Sequence, residues 1–189
     1  MNRREAISAV SILLGGTIVG SNLFLTGCKN PETKAGDQLI FDKEKIAFLD
    51  EIGETIIPAT STPGAKAAKI GEYMKMIVTD CYEEKNQKIF MEGLTKINEA
   101  SKKKFDKSFI EADAKQRNAL LVELDNEQKE YMKKIKPEDS SHYFRMMKEL
   151  TLIGYFTSEI GCTQALRFVE VPTKYEGCVP YKKGDKAWA

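Results

Sequence analysis

The sequence predicts an all-α protein, a bundle of about five helices followed by an irregular, disulfide-braced C-terminal tail. Apolar residues recur at intervals of three and four along five separate stretches, which is the spacing of one helix face. No run alternates apolar and polar residues for long enough to form a sheet, and no internal repeat occurs. The length of 189 residues, with 42% hydrophobic and 30% charged residues, fits one domain with a single core.

A turn-rich linker separates the first two helices. Asp42 can cap a helix that runs to Ile57, and Pro58 stops it because proline cannot donate the helical hydrogen bond. Residues 58–65 (PATSTPGA) contain Pro-Gly, a pair typical of turns. We expect Cys81 to be buried as a small hydrophobic residue on the face of the second helix. That face comprises Ile70, Tyr73, Met74, Ile77, Val78 and Cys81.

The remaining three helices follow with shorter connections. The third begins near Gln87, and the fourth begins near Asp113 and is ended by Pro137. Ser140 or Ser141 can cap the fifth helix, which runs into the C-terminal tail. The apolar faces of the three helices include Ile89, Phe90, Leu94 and Ile97, then Leu120, Leu121, Leu124, Tyr131, Met132 and Ile135, then Phe144, Met147, Leu150 and Ile153.

The stretch from Gly154 to Tyr181 breaks the helical period and is the candidate functional segment. Small residues, aromatic residues and two cysteines lie close together in it, and such shaped loops tend to carry function. Cys162 and Cys178 enclose a short loop, and a disulfide between them is expected if the protein leaves the cytoplasm. The alternative, a tail from about residue 161 that only wraps the helical core, stands equal at this point.

Residues 1–27 have the features of an export signal. Arg3 and Arg4 precede an apolar run, and the run closes with Leu-Thr-Gly before Cys28, which is similar to a bacterial lipobox. We therefore expect lipid on Cys28, although an uncleaved membrane anchor is the alternative because a run of this length can span a bilayer. The adjacent arginines indicate twin-arginine export. The expected location is the bacterial cell envelope, as a membrane-anchored lipoprotein that faces the periplasm.

The part of the chain after the signal is a polar tether, residues 28–41, followed by a helical domain, residues 42–189. Without the signal, basic and acidic residues are equal in number. A neutral domain has no electrostatic footprint for nucleic acid, so we expect no nucleic-acid partner. The run Lys102-Lys103-Lys104 is interpreted as a solvated helix face.

The sequence contains none of the common catalytic or cofactor motifs. His142 is the single histidine, which excludes a multi-histidine metal site within one chain, and it is interpreted as a surface or capping residue. No haem-attachment motif, dinucleotide fingerprint or P-loop occurs. Glu159 is interpreted as a helix-end or interface hydrogen-bond acceptor before a general base. These patterns favour an accessory or binding role, with no catalytic residue, metal or cofactor in this chain.

Several short motifs together resemble a known family, the small subunit (subunit 3, or gamma) of gluconate 2-dehydrogenase and related membrane-bound sugar dehydrogenases. The most specific motif is LTLIGYFTSEIG, residues 150–161, and the likeness covers nearly the whole mature domain. The other motifs are Phe48-Leu49 through Ile56-Ile57-Pro58, Thr62-Pro63-Gly64-Ala65, Gln164-Ala165-Leu166, Val171-Pro172 and Tyr175-Glu176-Gly177-Cys178.

The resemblance implies a cofactor-free accessory subunit of a large FAD-dependent oxidoreductase of the glucose–methanol–choline class. In such complexes the large subunit oxidises a sugar or sugar acid, and a cytochrome c, carrying haem c in a third subunit, often takes the electrons. The small subunit carries the export signal for both and supports folding of the large one. The lipobox at Cys28 departs from family members that have an ordinary cleavable signal, and it implies that this subunit is also the membrane tether.

The docking hypothesis places the partner on the tail from Gly154 onward. The residues expected at this interface are Tyr155, Glu159, Gln164, Tyr175, Tyr181 and Trp188. Four of them are aromatic, and aromatic side chains often dominate binding energy. Phe156 and Phe168 are at least as well explained by packing on the protein's own helices. Two alternatives remain: a stand-alone envelope binding or scaffold lipoprotein, and a hydrolase or isomerase that uses Glu159 with a second carboxylate.

Overall fold

Five α-helices and one short π-helix make up the fold of residues 41–136 and 138–188, the part of the chain that the computed structural model describes. The elements are α1 Lys43–Ile56, α2 Ile70–Cys81, α3 Glu84–Phe105, α4 Ala114–Lys134, α5 Tyr143–Phe156 and the π-helix Gly161–Ala165. Within these residues there is no strand, only an isolated bridge between Arg167 and Trp188. The prediction of an all-α bundle of about five helices is confirmed.

Predictions about the N-terminal segment lie outside the described residues. They concern the export signal at residues 1–27, with Arg3 and Arg4, the lipid site at Cys28, and the polar tether as far as residue 40. None of the helices in the described part is both long enough and apolar enough to cross a membrane.

Side-chain caps set the starts of α1 and α4 where the sequence places them. The Asp42 carboxylate accepts a hydrogen bond from the Lys45 backbone N–H at 2.8 Å. Asp113 and Gln116 form a reciprocal capping box, in which each side chain accepts from the backbone N–H of the other. Such caps depend on residues three positions apart, so they are visible in the sequence.

The start of α5 differs from the prediction, because His142 caps it instead of Ser140 or Ser141. The Nδ1 atom of His142 accepts a hydrogen bond from the Phe144 backbone N–H at 3.3 Å. The interpretation of this histidine as a capping residue is confirmed, but its side chain is buried instead of lying on the surface. In addition, α3 begins at Glu84, ahead of the predicted start near Gln87.

Helix α5 lies at the centre of the bundle, since it packs against each of the other four α-helices and against the π-helix. The core beneath it contains the fully buried side chains of Phe90, Phe109, Phe144 and Tyr155, with aliphatic residues from α1 to α4. Asp125 on α4 pairs with Lys148 on α5 at 2.5 Å. Although burial raises the pKa of Asp125, hydrogen bonds from Lys129, Lys148 and Gln128 outweigh it and lower the pKa to about 2.

Three side chains predicted on apolar helix faces are exposed: Cys81, Tyr131 and Ile153, the last of which is 53% exposed at the end of α5. Cys81 is exposed because it is the last residue of α2, where the helix leaves the core. Tyr131 is 43% exposed on α4, and its hydroxyl donates to the backbone carbonyl of Ser140 at 3.2 Å. Helical spacing predicts on which face of a helix a residue lies, but the neighbouring elements decide how far along the helix that face is buried.

The predicted disulfide between Cys162 and Cys178 is not supported. All cysteines of the described part, Cys81, Cys162 and Cys178, are free. The Cys162 thiol instead donates to the backbone carbonyl of Phe156 at 3.1 Å, while Cys178 is exposed in the tail. The tail is therefore irregular, as expected, but its cysteines do not brace it.

Candidate partner-docking surface

The six residues expected at a partner interface lie in two different environments. The Tyr155 side chain is only 1% exposed and belongs to the core. The other five are on the surface: Glu159, Gln164, Tyr175, Tyr181 and Trp188. The structure therefore leaves the last five accessible to a partner and gives Tyr155 a role inside the fold.

Tyr155 joins two motifs that are far apart in the sequence. Its hydroxyl donates a hydrogen bond to the backbone carbonyl of Pro63 at 2.6 Å. The linker that contains Pro63 is also held by Glu54, whose carboxylate accepts from the backbone N–H groups of Ala59 and Lys66, both at 2.9 Å. The end of α5 and the linker between α1 and α2 thus form one structural unit.

Two glycines near the end of α5 are required by close packing. A Cβ atom at Gly154 would lie 2.4 Å from Cδ1 of Tyr73, and one at Gly161 would lie 1.8 Å from the backbone oxygen of Tyr155. The second contact is with backbone, which cannot move aside as a side chain can. Gly161 therefore allows the chain to turn back over the end of α5 and begin the π-helix.

The π-helix Gly161–Ala165 was not predicted from the sequence. Its wider turn has no distinctive residue pattern, and the only local signal is Gly161 at its start. Single π-turns occur often at functional sites. Here the element carries Gln164 on its exposed side, and it connects the core to the tail.

Large apolar side chains are exposed at the end of α5 and along the tail. We call them the C-terminal apolar residues: Leu152 (38% exposed), Ile153 (53%), Phe156 (39%), Phe168 (51%), Val169 (49%), Val171 (72%), Tyr175 (95%), Val179 (47%) and Tyr181 (81%). Exposed apolar side chains are candidates for contact with another protein, so we take these residues as the candidate partner-docking surface. Neither the Phe156 nor the Phe168 ring belongs to the buried core, although Phe156 contacts the Tyr155 ring on its own helix, with ring centres 5.2 Å apart.

Sequence reasoning missed Leu152 and Ile153 as surface residues. The signal was present, since residues 150–156 (LTLIGYF) are apolar around almost the whole circumference of the helix. A helix of this kind is either wholly buried or has an apolar face that needs another partner. Leu150, Thr151, Gly154 and Tyr155 point into the core, which leaves Leu152, Ile153 and Phe156 outside.

Residues 164–167 and residues 186–188 contact each other at the end of the π-helix. The Arg167 backbone N–H donates to the Ala187 carbonyl at 2.7 Å, and the Arg167 guanidinium lies 4.7 Å from the centre of the Trp188 ring. The Lys186 ammonium also donates to the backbone carbonyl of Gln164. The segment from Phe168 to Asp185 is thereby closed into a loop.

The polar side chains singled out from the sequence do not form a catalytic cluster in the described residues. The Glu159 side chain is exposed, and its backbone carbonyl accepts a hydrogen bond from the Thr163 hydroxyl at 2.6 Å. His142 caps α5 and lies 3.7 Å from the Glu127 carboxylate, while burial lowers the pKa of the His142 imidazole. No group of three or more His, Cys, Asp or Glu side chains in residues 41–136 and 138–188 is placed to hold a metal ion.

The chain is similar to a known protein family. A family model described as gluconate 2-dehydrogenase subunit 3 matches residues 43–173, which run from the start of α1 into the first part of the tail. The matched range includes Leu152, Ile153, Phe156 and Phe168, whereas Tyr175, Tyr181 and Trp188 lie beyond it. No curated protein and no solved structure matches the chain.

Proposed function

The chain belongs to the gluconate 2-dehydrogenase subunit 3 family, and from this premise we propose that it is the accessory subunit of an FAD-dependent sugar or sugar-acid dehydrogenase. In this proposal the large subunit, of the glucose–methanol–choline class, holds FAD and oxidises the substrate. The present chain binds that subunit, supports its folding, and carries it to the periplasmic side of the membrane. A cytochrome c with haem c in a third subunit accepts the electrons.

The observation that carries the proposal is the set of C-terminal apolar residues. Leu152, Ile153 and Phe156 end a helix whose opposite side is part of the core, so their position relative to the bundle is fixed. Exposed apolar area costs free energy in water, about 25 cal/mol for each Å² that a partner would cover. Permanent subunit interfaces are large and apolar, which fits this surface.

Export and tethering are assigned to the N-terminal segment. Arg3 and Arg4 direct the chain, with the bound large subunit, to the twin-arginine route, and lipid on Cys28 holds the complex at the membrane. In a Cys28→Ser variant, we expect the complex to move from the membrane fraction to the soluble fraction with its dehydrogenase activity retained. In an Arg3→Lys, Arg4→Lys variant, both subunits should remain in the cytoplasm. Unchanged fractionation in both variants would contradict this assignment.

The docking proposal is tested by purification of the tagged full-length chain from its native host. We expect a flavin absorbance spectrum and dye reduction that depends on added gluconate or another sugar acid. A Phe156→Asp, Phe168→Asp variant should recover at least about tenfold less flavin, because a charge replaces a central apolar contact. Val122→Asp is the matched control, since Val122 on α4 is also exposed, at 52%.

Other outcomes of the same experiment would replace the proposal. A chain that purifies alone, without flavin, and melts at a higher temperature with an added sugar would be a stand-alone binding lipoprotein. Turnover by the isolated chain that is lost in Glu159→Gln would indicate an enzyme. Equal flavin recovery from the Phe156→Asp, Phe168→Asp variant and from Val122→Asp would place the docking surface elsewhere.

A further inference from the structure

Five residues fasten the two ends of the C-terminal tail to each other. They make the Arg167–Ala187 backbone hydrogen bond of 2.7 Å, the contact of the Arg167 guanidinium with the Trp188 ring, and the hydrogen bond from Lys186 to the Gln164 carbonyl. We call this group, Gln164, Arg167, Lys186, Ala187 and Trp188, the C-terminal clasp. Gln164 belongs to the π-helix, which packs on α5, so the clasp connects the end of the chain to the bundle.

The loop between the two halves of the clasp is exposed along its length. Tyr175 is 95% and Tyr181 81% exposed, and every residue from 168 to 188 is exposed. The contacts within the loop are short-range ones, such as the Lys174–Glu176 ion pair at 2.5 Å and the hydrogen bond from the Lys182 N–H to Asp185 at 3.1 Å. A loop with so little burial depends on its closed ends for its average conformation, because an open chain has many more states.

We propose that Arg167 and Trp188 position the tail for its partner, by closing it into a loop that presents Tyr175 and Tyr181 on the surface. This inference rests on the proposed function, in which the large dehydrogenase subunit covers the C-terminal apolar residues. Trp188 is then a positioning residue, whereas the sequence placed it among the contact residues. A preorganised loop loses less conformational freedom on binding than an open tail, so the closed state has the higher affinity.

The chain contains its own probe for the closed state, because Trp188 is the single tryptophan. Its fluorescence is measured in the full-length protein without a partner, with acrylamide as quencher. In Arg167→Ala the quenching constant should rise, but by less than about twofold, since the Trp188 side chain is already 57% exposed when the guanidinium covers it. Arg167→Lys keeps the cation and should restore part of the protection. Arg145→Ala, which removes an arginine from the exposed side of α5, is the matched control and should change nothing.

The second measurement is binding of the same variants to the large dehydrogenase subunit, read as flavin recovered with the tagged chain. We expect about two- to fivefold weaker binding for Arg167→Ala, the factor that corresponds to one exposed cation–π contact. Trp188→Ala should weaken binding equally, and the double variant Arg167→Ala, Trp188→Ala should be no weaker than either single variant. This non-additivity is expected of two residues that act through one contact, and not of two independent contact residues.

The outcomes separate this inference from the function on which it rests. Unchanged quenching in Arg167→Ala would mean that the clasp does not hold in solution, and would overturn the inference alone. A second outcome is that Arg167→Ala raises the quenching of Trp188 but leaves binding unchanged, while the Phe156→Asp, Phe168→Asp variant still binds more weakly. This outcome would overturn the positioning role and leave the proposed function standing. If no variant affects binding, the partner docks elsewhere on the chain and the positioning role is overturned, whereas a full-length chain that purifies without flavin would overturn the proposed function.

Discussion

The helical bundle and the tail use aromatic side chains in opposite ways. In the bundle, residues 43–156, most of the large rings are enclosed: Phe90 is fully buried and Tyr155 is 1% exposed, whereas Tyr131 and Phe156 are partly exposed. In the tail, residues 157–188, Tyr175 is 95% exposed and no side chain of the loop is buried. The bundle therefore obtains its stability from its own aromatic residues, while those of the tail are available to another molecule.

The boundary between the two regions lies within one turn of α5. Tyr155 and Phe156 are adjacent, and their rings contact each other edge to face with centres 5.2 Å apart. Successive residues of a helix point about 100° apart, so one ring enters the core and the next leaves it. The same motif thus contains a residue that holds the fold and a residue that is free to bind, which means that mutational effects on folding and on binding should separate.

The bundle and the tail should differ most in the free energy of unfolding that is lost when an aromatic ring is removed. Phe90→Ala should lower the free energy of unfolding by about 3–5 kcal/mol, because it removes buried apolar surface and leaves a cavity. Tyr181→Ala should change it by less than about 0.5 kcal/mol, since exposed residues outside special contacts contribute little. Urea denaturation followed by circular dichroism measures both. Similar losses for the two variants would mean that the tail packs on the bundle in solution.

A smaller effect is expected for a methyl group added at the junction. Gly161→Ala should destabilise the protein by about 1–3 kcal/mol, because the new Cβ meets the Tyr155 backbone oxygen and the backbone must shift. The control is Gly177→Ala in the loop, where the nearest atom is 3.1 Å away on the exposed ring of Tyr175, which can move. Thermal unfolding compares the two, and a neutral Gly161→Ala would show that the turn over α5 is looser than the structure has it.

Removal of a single hydroxyl tests the link between the linker and α5. Tyr155→Phe deletes the hydrogen bond to the Pro63 carbonyl and should cost about 1 kcal/mol of unfolding free energy. Tyr175→Phe deletes the same atom from a side chain that is 95% exposed and should have no measurable effect on stability. Equal effects in urea denaturation would contradict the distinction between buried and exposed tyrosines.

The smallest effect is a pH dependence confined to the bundle. Burial keeps the pKa of His142 below its ordinary value of 6.5, although the nearby carboxylate of Glu127 acts to raise that pKa. The other charged or titratable groups near His142 are Lys96, Tyr131 and Tyr143. The unfolded chain then binds the proton more tightly than the folded one, so stability is full above pH 6.5 and declines as the pH falls below it. Protonation also removes the Nδ1 acceptor that caps α5.

His142→Asn keeps a capping side chain and should abolish this part of the pH dependence. Unfolding monitored by circular dichroism between pH 7.5 and pH 5.5 measures the change in the bundle. Quenching of Trp188 over the same range reports the tail, and we expect it to stay constant. A parallel change in both signals would mean that the two regions are not independent.

Much of the helical bundle was predictable because its signals are local. Asp42 and Asp113 cap helices from within the same turn, and the spacing of Leu120, Leu121 and Leu124 predicts their shared face. The exposure of Cys81 was not predictable from local signals. The apolar pattern of α2 continues to Cys81, its last residue, but the elements that cover this face of α2 do not extend that far. The free thiols of Cys162 and Cys178 show the same limit, because spacing permits a disulfide without bringing two sulfur atoms together.

The sequence by itself determined the class of the fold, the positions of its helices, and the family, which it indicated through the motif at residues 150–161. The tertiary structure alone decided that Tyr155 is buried and Phe156 exposed, that Gly161 opens a π-helix, and that Arg167 meets Trp188. The physical reason is range: a cap or an apolar period is set by residues a few positions apart. Burial and closure depend on which distant segments arrive at the same place in space.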